Sequence, residues 1–230
     1  MTAAPIILIH SPLIGHGSWR AVAKRLEVRD RVVATPLIEL DDLAAPYDIA
    51  IAGGIAAQID TVEPAVLAVH SGAGSLVPAI SSRVPLAAVI FVDAILPTPG
   101  RSWFDTAPAS LADHLSGLAV EGMLPPWPNW FGPEVMSRLV PYAPLREAFE
   151  ADCPPLPLSY FEEPASPEPM PPDLPAGYLH LSEGYDEEAR SADALGWPVR
   201  SEELHHLALL THPDRIATAL VEMADVLVSR

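Results

Sequence analysis

Five short apolar runs without polar alternation punctuate the chain: PIILIH (5–10), RVVATPL (31–37), PAVLAVH (64–70), LAAVIFVDA (86–94) and AGYLHLS (176–182). Compact runs lacking a polar face predict strands buried on both sides, as in a parallel sheet. Segments with helical spacing separate them. In SWRAVAKRLE (18–27) Trp19, Val22, Ala23 and Leu26 share one face, and Tyr47 to Asp60 and GAGSLVPAISSR (72–83) read as further helices. Late in the chain DEEARSADALG (186–196) reads as a helix and WPVRSEE (197–203) as a more exposed last strand. HPDRIATALVEMADVLV (212–228) is an amphipathic helix with Pro213 in its first turn. Strands alternating with helices predict an α/β fold: a mainly parallel, doubly wound sheet covered on both faces.

Residues 95–175 break this pattern. They hold 18 of the 27 prolines and three of the five tryptophans, Trp103, Trp127 and Trp130. Helical pieces are predicted near 107–120 and 132–150, and PPLPLSYFEEPASPEPMPPDLP is predicted to be extended. Proline fixes φ and removes a donor, so no sheet is expected here. The stretch is too aromatic for a solvated linker and reads as a cap over one sheet edge. The expected organisation is a core of residues 1–94 and 176–230, with a Pro/Trp-rich cap or lid at 95–175 inserted after the strand ending at Asp93.

Composition narrows the classes of function. At 230 residues, half of them apolar, the chain can bury a sizeable core as one domain. A formal net charge of −17 disfavours nucleic acid or an anionic membrane as partner. The expected partner is a small-molecule substrate, with a homodimer left open. The single cysteine, Cys153, can form no intrachain disulfide and reads as a bystander in a reducing compartment. No CxxC or HExxH pattern suggests a metal, no GxGxxG or phosphate loop a nucleotide, so no cofactor is expected. The opening MTAAPIILIH has no basic region, long apolar stretch or cleavage site, and no apolar run reaches membrane-spanning length, so a cytoplasmic protein is expected.

Open parallel sheets bind ligands at the carboxyl ends of their strands. Behind those ends stand Ser11, Pro12 and Leu13; then Ser71; then Asp93; then Glu183 and Asp186; then His205 and His206. Serine, then acid, then histidine is the order used by α/β-hydrolases. The chain resembles that superfamily over nearly its whole length: the first strand with HSPLIGHGSW, VHSGAG, the strand ending FVDA, the cap, and LHHLALLTHPDRIA at the end. Within that superfamily it resembles small actinobacterial α/β-hydrolase-like proteins, some of which occur in natural-product pathways.

The resemblance implies a catalytic triad. Ser71 takes the nucleophile position on a tight strand-to-helix turn; a serine there can also simply cap the helix. The usual proline seven residues after the catalytic histidine is matched by Pro213, which selects His206 over His205 as general base. The loop after AGYLHLS is the family's usual place for the acid and nominates Asp186, with Glu183 as a longer-armed substitute and Asp93 as the alternative placement. Asp186 can also be read as the N-cap of its helix. Val69 and Ala73 stand where the G-x-S-x-G motif has glycines. For the oxyanion hole, Gly72 supplies one N–H; Pro12 has none, which leaves Leu13 or Ser11, with Leu13 preferred. His16, Trp103, Trp127 and Trp130 are expected to line the pocket, Trp19 the helix core.

The leading expectation is a cofactor-independent serine hydrolase acting on a small or medium apolar ester, lactone or thioester through an acyl-serine. Non-hydrolytic use of the fold, as a cyclase, lyase or epimerase, is the alternative. A ligand-binding protein without turnover is the third.

Overall fold

The computed structural model describes residues 3–40 and 43–229. Strands β1 (Ile6–Ile9), β2 (Val33–Ala34), β3 (Ala65–Ser71) and β4 (Leu86–Ala94) come first. Strands β5 (Met123–Leu124) and β6 (Leu156–Pro157) follow within 95–175, and β7 (Ala176–His180) and β8 (Val199–Ser201) come last. Six of them form one parallel sheet in the order β2-β1-β3-β4-β7-β8.

Successive residues of the buried strands face opposite layers. Ile6, Leu8, Val66, Ala68, Ile90 and Val92 pack with the apolar faces of α1 (Arg20–Glu27) and, at the C-terminus, Pro213–Val228. Ile7, Ile9, Leu67, Val69, Val89 and Phe91 pack on the other side with α2 (Tyr47–Ala57), α3 (Val77–Ser81) and the helix Asp186–Ala194. Both faces being covered removes the polar alternation an exposed sheet would show. No helix among the described residues is long and apolar enough to cross a membrane.

Two expectations change. The strand expected over 31–37 pairs only through Val33 and Ala34. Beyond it the Leu37 N–H donates to Gln58 Oε1 (2.9 Å) and the Ile38 N–H to His10 Nε2 (3.1 Å), so these donors leave the ladder for side chains. The stretch 95–175, expected to hold no sheet, contains the antiparallel pair β5–β6, Met123 facing Pro157 and Leu124 facing Leu156. A two-residue pair has edges on which a proline's missing N–H costs nothing.

The rest of that stretch is short helices: α4 (Trp103–Thr106), α5 (Ala109–Leu118), α6 (Pro133–Leu139), α7 (Ala143–Asp152) and α8 (Ser159–Glu162). The helix α8 lies within the segment expected to be extended. Two apolar clusters hold the stretch together, one around Leu115, Leu124, Trp130, Leu156 and Phe161. The other brings Met136, Val140, Phe149 and Cys153 onto Ile14 and Leu207 of the sheet-edge loops. Cys153 donates to the Phe149 carbonyl (3.3 Å), and burial pushes its thiol up to about 12, which makes it inert packing. Three further helices complete the chain, α9 (Asp186–Ala194), α10 (Ala208–Thr211) and α11 (Pro213–Val228).

Candidate active site

Ser71 ends β3 with φ 57° and ψ −127°, a strained conformation for a non-glycine residue. The chain then turns directly into the 3₁₀ segment Gly72–Leu76 and α3. This is a nucleophile-elbow geometry, and it forms although Val69 and Ala73 replace glycines. Both side chains are absorbed by the core cluster beneath the sheet, so neither crowds the serine. The close approach falls one residue later, at Gly74, where a Cβ would stand 1.8 Å from the Ile95 carbonyl oxygen.

Ser71 Oγ lies 3.1 Å from His206 Nε2, and His206 Nδ1 lies 2.9 Å from Asp93 Oδ2. A carboxylate can only accept, so Nδ1 carries the proton and Nε2 is the acceptor for the serine O–H. Such a chain can move the hydroxyl proton onto the ring while the carboxylate steadies the charge formed. Asp93 is fully buried at the end of β4, next to β3, at φ 44°. Tyr178 pins the following residue by donating to the Ala94 carbonyl (2.8 Å) and accepting its N–H (3.0 Å). Burial alone would raise the Asp93 pKa. The His206 hydrogen bond and charge, the Ser182 hydroxyl (2.5 Å) and the Leu181 N–H (2.9 Å) overcome it and hold the carboxyl below its ordinary value.

The structure brings Asp93, not Asp186, to His206. Asp186 opens α9, is largely exposed, and pairs with His180 Nε2 at 2.9 Å. The end of β7 supplies donors instead of the acid: the N–H groups of Leu181 and Ser182 both point at Asp93. Glu183 is exposed in the turn that follows. His205, the rival of His206, faces Thr211 Oγ1 (2.9 Å) and takes no part in the chain.

The His206 ring is held between two others. Tyr185 lies parallel to it at 4.8 Å and 8°, with its hydroxyl 3.2 Å from Ser71 Oγ. His70 stacks on His206 at 4.5 Å, and its Nε2–H donates to the His206 carbonyl (3.0 Å). Neither role was readable from sequence. Tyr185 sits in an unremarkable SEGYDEE turn, and His70 precedes the serine on a strand that reads as uniformly buried.

Burial, and then the neighbouring His206, push His70 down to about 3. Between about pH 6.5 and 3 the unfolded chain therefore binds a proton at this position that the folded chain refuses, so stability falls as pH falls through that window. Burial acts in the same direction on His10 and His205. Asp93 adds its loss only below the ordinary carboxylate range, because its stabilisation is present above that range. The guanidinium unfolding free energy is expected to drop by up to about 1.4 kcal/mol per pH unit from this one residue. His70→Gln should remove that share of the slope between pH 7.5 and 5, and equal slopes in the two proteins would refute the assignment.

The turn Ser11–Ile14 carries the oxyanion candidates. His10 fixes it: its Nδ1–H reaches the Ile14 carbonyl (2.8 Å) while Nε2 accepts the Ile38 N–H. Within the turn the Ile14 N–H is bound to the Ser11 carbonyl (3.1 Å) and the Leu13 N–H to Ser11 Oγ by a long 3.3 Å bond. Ser11 Oγ also lies beside Gly72, 2.9 Å from where a Cβ would stand. His16, expected in the pocket, is not on its wall; its ring meets His10 edge-on at 6.5 Å. Trp19 is core and sits edge-on to His70.

Ser71, Gly72, Tyr185 and His206 open onto a cavity of about 910 Å³. Trp103, Trp127 and Trp130 line it with Phe131, Tyr160 and Phe161, an apolar aromatic wall. Its charged groups are mainly acidic, Asp48, Glu163, Glu187 and Glu188, against the one guanidinium of Arg101. No cluster fit to hold a metal ion occurs among the described residues.

No protein-family model and no curated protein matches the sequence. Solved structures do. An extracellular α/β-hydrolase from a Paenibacillus species, described as sharing structural and functional homology with tobacco salicylic acid binding protein 2, superposes with a TM-score of 0.78 at 20% identity, covering 96% of this chain and 98% of that one. A pyrethroid hydrolase from Sphingobium faniae JZ-2 gives 0.71 at 20% identity, over 97% and 98% of the two chains. Tomato methylketone synthase I, complexed with 2-tridecanone, gives 0.73 at 12% identity, over 98% and 99%. The chain has the α/β-hydrolase fold, and the proteins it is built like are enzymes of that fold.

Proposed function

We propose that the protein is a cofactor-independent serine hydrolase acting on an uncharged, apolar ester, lactone or thioester of small to medium size. The observation that carries this reading is the hydrogen-bonded chain Ser71–His206–Asp93, with Ser71 on a strained elbow at the floor of an aromatic cavity. Ser71 attacks the acyl carbon and its proton passes to His206; Asp93 holds the ring's orientation and stabilises the imidazolium. The leaving group takes the proton from His206, and water then clears the acyl-serine. The oxyanion is met by the Gly72 N–H and by the Leu13 N–H, whose long bond to Ser11 Oγ is readily exchanged. Four carboxylates against one guanidinium disfavour anionic substrates, which supports neutral acyl groups.

A fluorophosphonate probe is expected to label Ser71, and His206→Ala to abolish the labelling. Labelling elsewhere, or labelling that survives the histidine change, refutes the reading. Among model substrates, p-nitrophenyl butyrate should turn over faster than an ester of similar length ending in a carboxylate.

A second reading, non-hydrolytic use of the same site, draws on the Tyr185 hydroxyl beside Ser71, a proton donor additional to the Ser71–His206–Asp93 chain. Retained turnover of the natural substrate by Ser71→Ala would favour it.

A further inference from the structure

We propose that Tyr185 is a further catalytic residue: its hydroxyl hydrogen-bonds Ser71 Oγ in the resting site and, once that oxygen is acylated, holds the water that clears the acyl-enzyme. The inference rests on the serine hydrolase reading above. Ser71 has one O–H, which is directed to His206 Nε2. The bond between Ser71 Oγ and the Tyr185 hydroxyl at 3.2 Å therefore has Tyr185 as donor. Burial raises the phenol above its ordinary pKa, which keeps it a donor at neutral pH.

Acylation changes what both groups see. Ser71 Oγ becomes an ester oxygen without a proton and with its lone pair drawn into the carbonyl, a poor acceptor. His206 Nε2, having given its proton to the leaving group, is again an acceptor, and Tyr185 is a donor without a partner. Both stand within hydrogen-bond range of the same oxygen. A water seated beside that ester oxygen, between the two groups, donates one hydrogen to Nε2 and accepts the Tyr185 O–H on one lone pair. Its remaining lone pair is left for the acyl carbon.

In the step that follows, the water oxygen bonds to the acyl carbon and its proton moves to Nε2. The bond from carbon to Oγ then breaks, the proton returns from His206 to Ser71 Oγ, and the carboxylic acid leaves. Tyr185 keeps its own proton throughout.

Its placement is tied to the rest of the site. The Tyr185 ring lies flat on the imidazole. The turn that carries it is bonded to Ser182 through the Tyr185 N–H (3.0 Å), and Ser182 is anchored on Asp93 by backbone and hydroxyl. One carboxylate thus sets both His206 and the loop bearing the phenol.

Tyr185→Phe removes the hydroxyl and keeps the ring against His206. Stopped-flow turnover of p-nitrophenyl butyrate separates acylation, seen as the p-nitrophenolate burst, from deacylation. The variant is expected to lose about 10- to 100-fold in kcat with KM falling in parallel, so that kcat/KM changes little and a burst of one equivalent becomes visible. Fluorophosphonate labelling of Ser71 should persist. Equal loss in both steps, or no loss in either, overturns the proposal and leaves Tyr185 as packing. Failure of the unaltered protein to label at Ser71 would instead overturn the hydrolase reading on which the proposal stands.

Discussion

Asp93→Asn is expected to lower kcat/KM for p-nitrophenyl butyrate by about 10³- to 10⁴-fold, while Asp186→Asn should leave it within about fivefold. The contrast follows from where the two carboxylates stand. Asp93 is fully buried and accepts from His206 Nδ1, from two backbone N–H groups and from the Ser182 hydroxyl. An amide there brings its own N–H₂ to a pocket built of donors, and it favours the wrong His206 tautomer, with Nε2 protonated toward Ser71. Asp186 has about half its side-chain surface in water and a single pairing with His180, the kind of exposed contact worth little. A steady-state assay of both variants decides the matter, with a guanidinium melt to show that each is folded. Comparable losses in the two would mean that the acid is not Asp93.

Gly74→Ala is expected to destabilise the fold by about 3 kcal/mol or more, and to lower the activity of whatever remains folded. Its Cβ would lie 1.8 Å from the Ile95 carbonyl oxygen and 3.0 Å from the carbonyl carbon. Both are backbone atoms, and the segment they belong to is bonded to the elbow through the Ile95 N–H and the Ser71 carbonyl (3.2 Å). Relief therefore requires the elbow to move off the end of β4, which also shifts Ser71 relative to Asp93. Gly53→Ala is the matched control. Gly53 lies inside α2 with nothing within 4 Å of the new methyl, so the substitution should raise stability by about 0.5–1 kcal/mol. A guanidinium midpoint for Gly74→Ala close to that of the unaltered protein would mean that the approach of the elbow to Ile95 is not held in solution.

Much of the sheet was legible because its strands are continuous apolar runs. LAAVIFVDA matches β4 residue for residue, and the alternating helices follow from their apolar faces. The shortened β2 was not legible, since Gln58 and His10 divert its donors and neither lies nearby in sequence. The pair β5–β6 was missed for the same kind of reason: two residues carry no periodicity, and the partners are far apart along the chain.

At the site, Ser71 and His206 could be read from order and spacing, because an elbow serine and a histidine ahead of a helix-opening proline are local signals. The acid could not be chosen. Asp93, Glu183 and Asp186 all follow strands in the sequence, and any of them reaches the right edge of a sheet. The choice depends on which side chain turns inward. Leu181 and Ser182 fill the end of β7 with donors and Asp186 folds back onto His180, so Asp93 alone meets the ring. His70 and Tyr185 came to light only as neighbours of His206 in space.

The layered α/β core, and the placing of Ser71 and His206 at one edge of its sheet, follow from local patterns in the sequence. Burial periodicity and turn chemistry are written locally, within one or two elements. Which carboxylate meets His206, the rings stacked on it and the Tyr185 hydroxyl at Ser71 come from tertiary packing alone. Those contacts join strand ends that are distant in the chain, and only the packing of the sheet sets the last few ångströms between them.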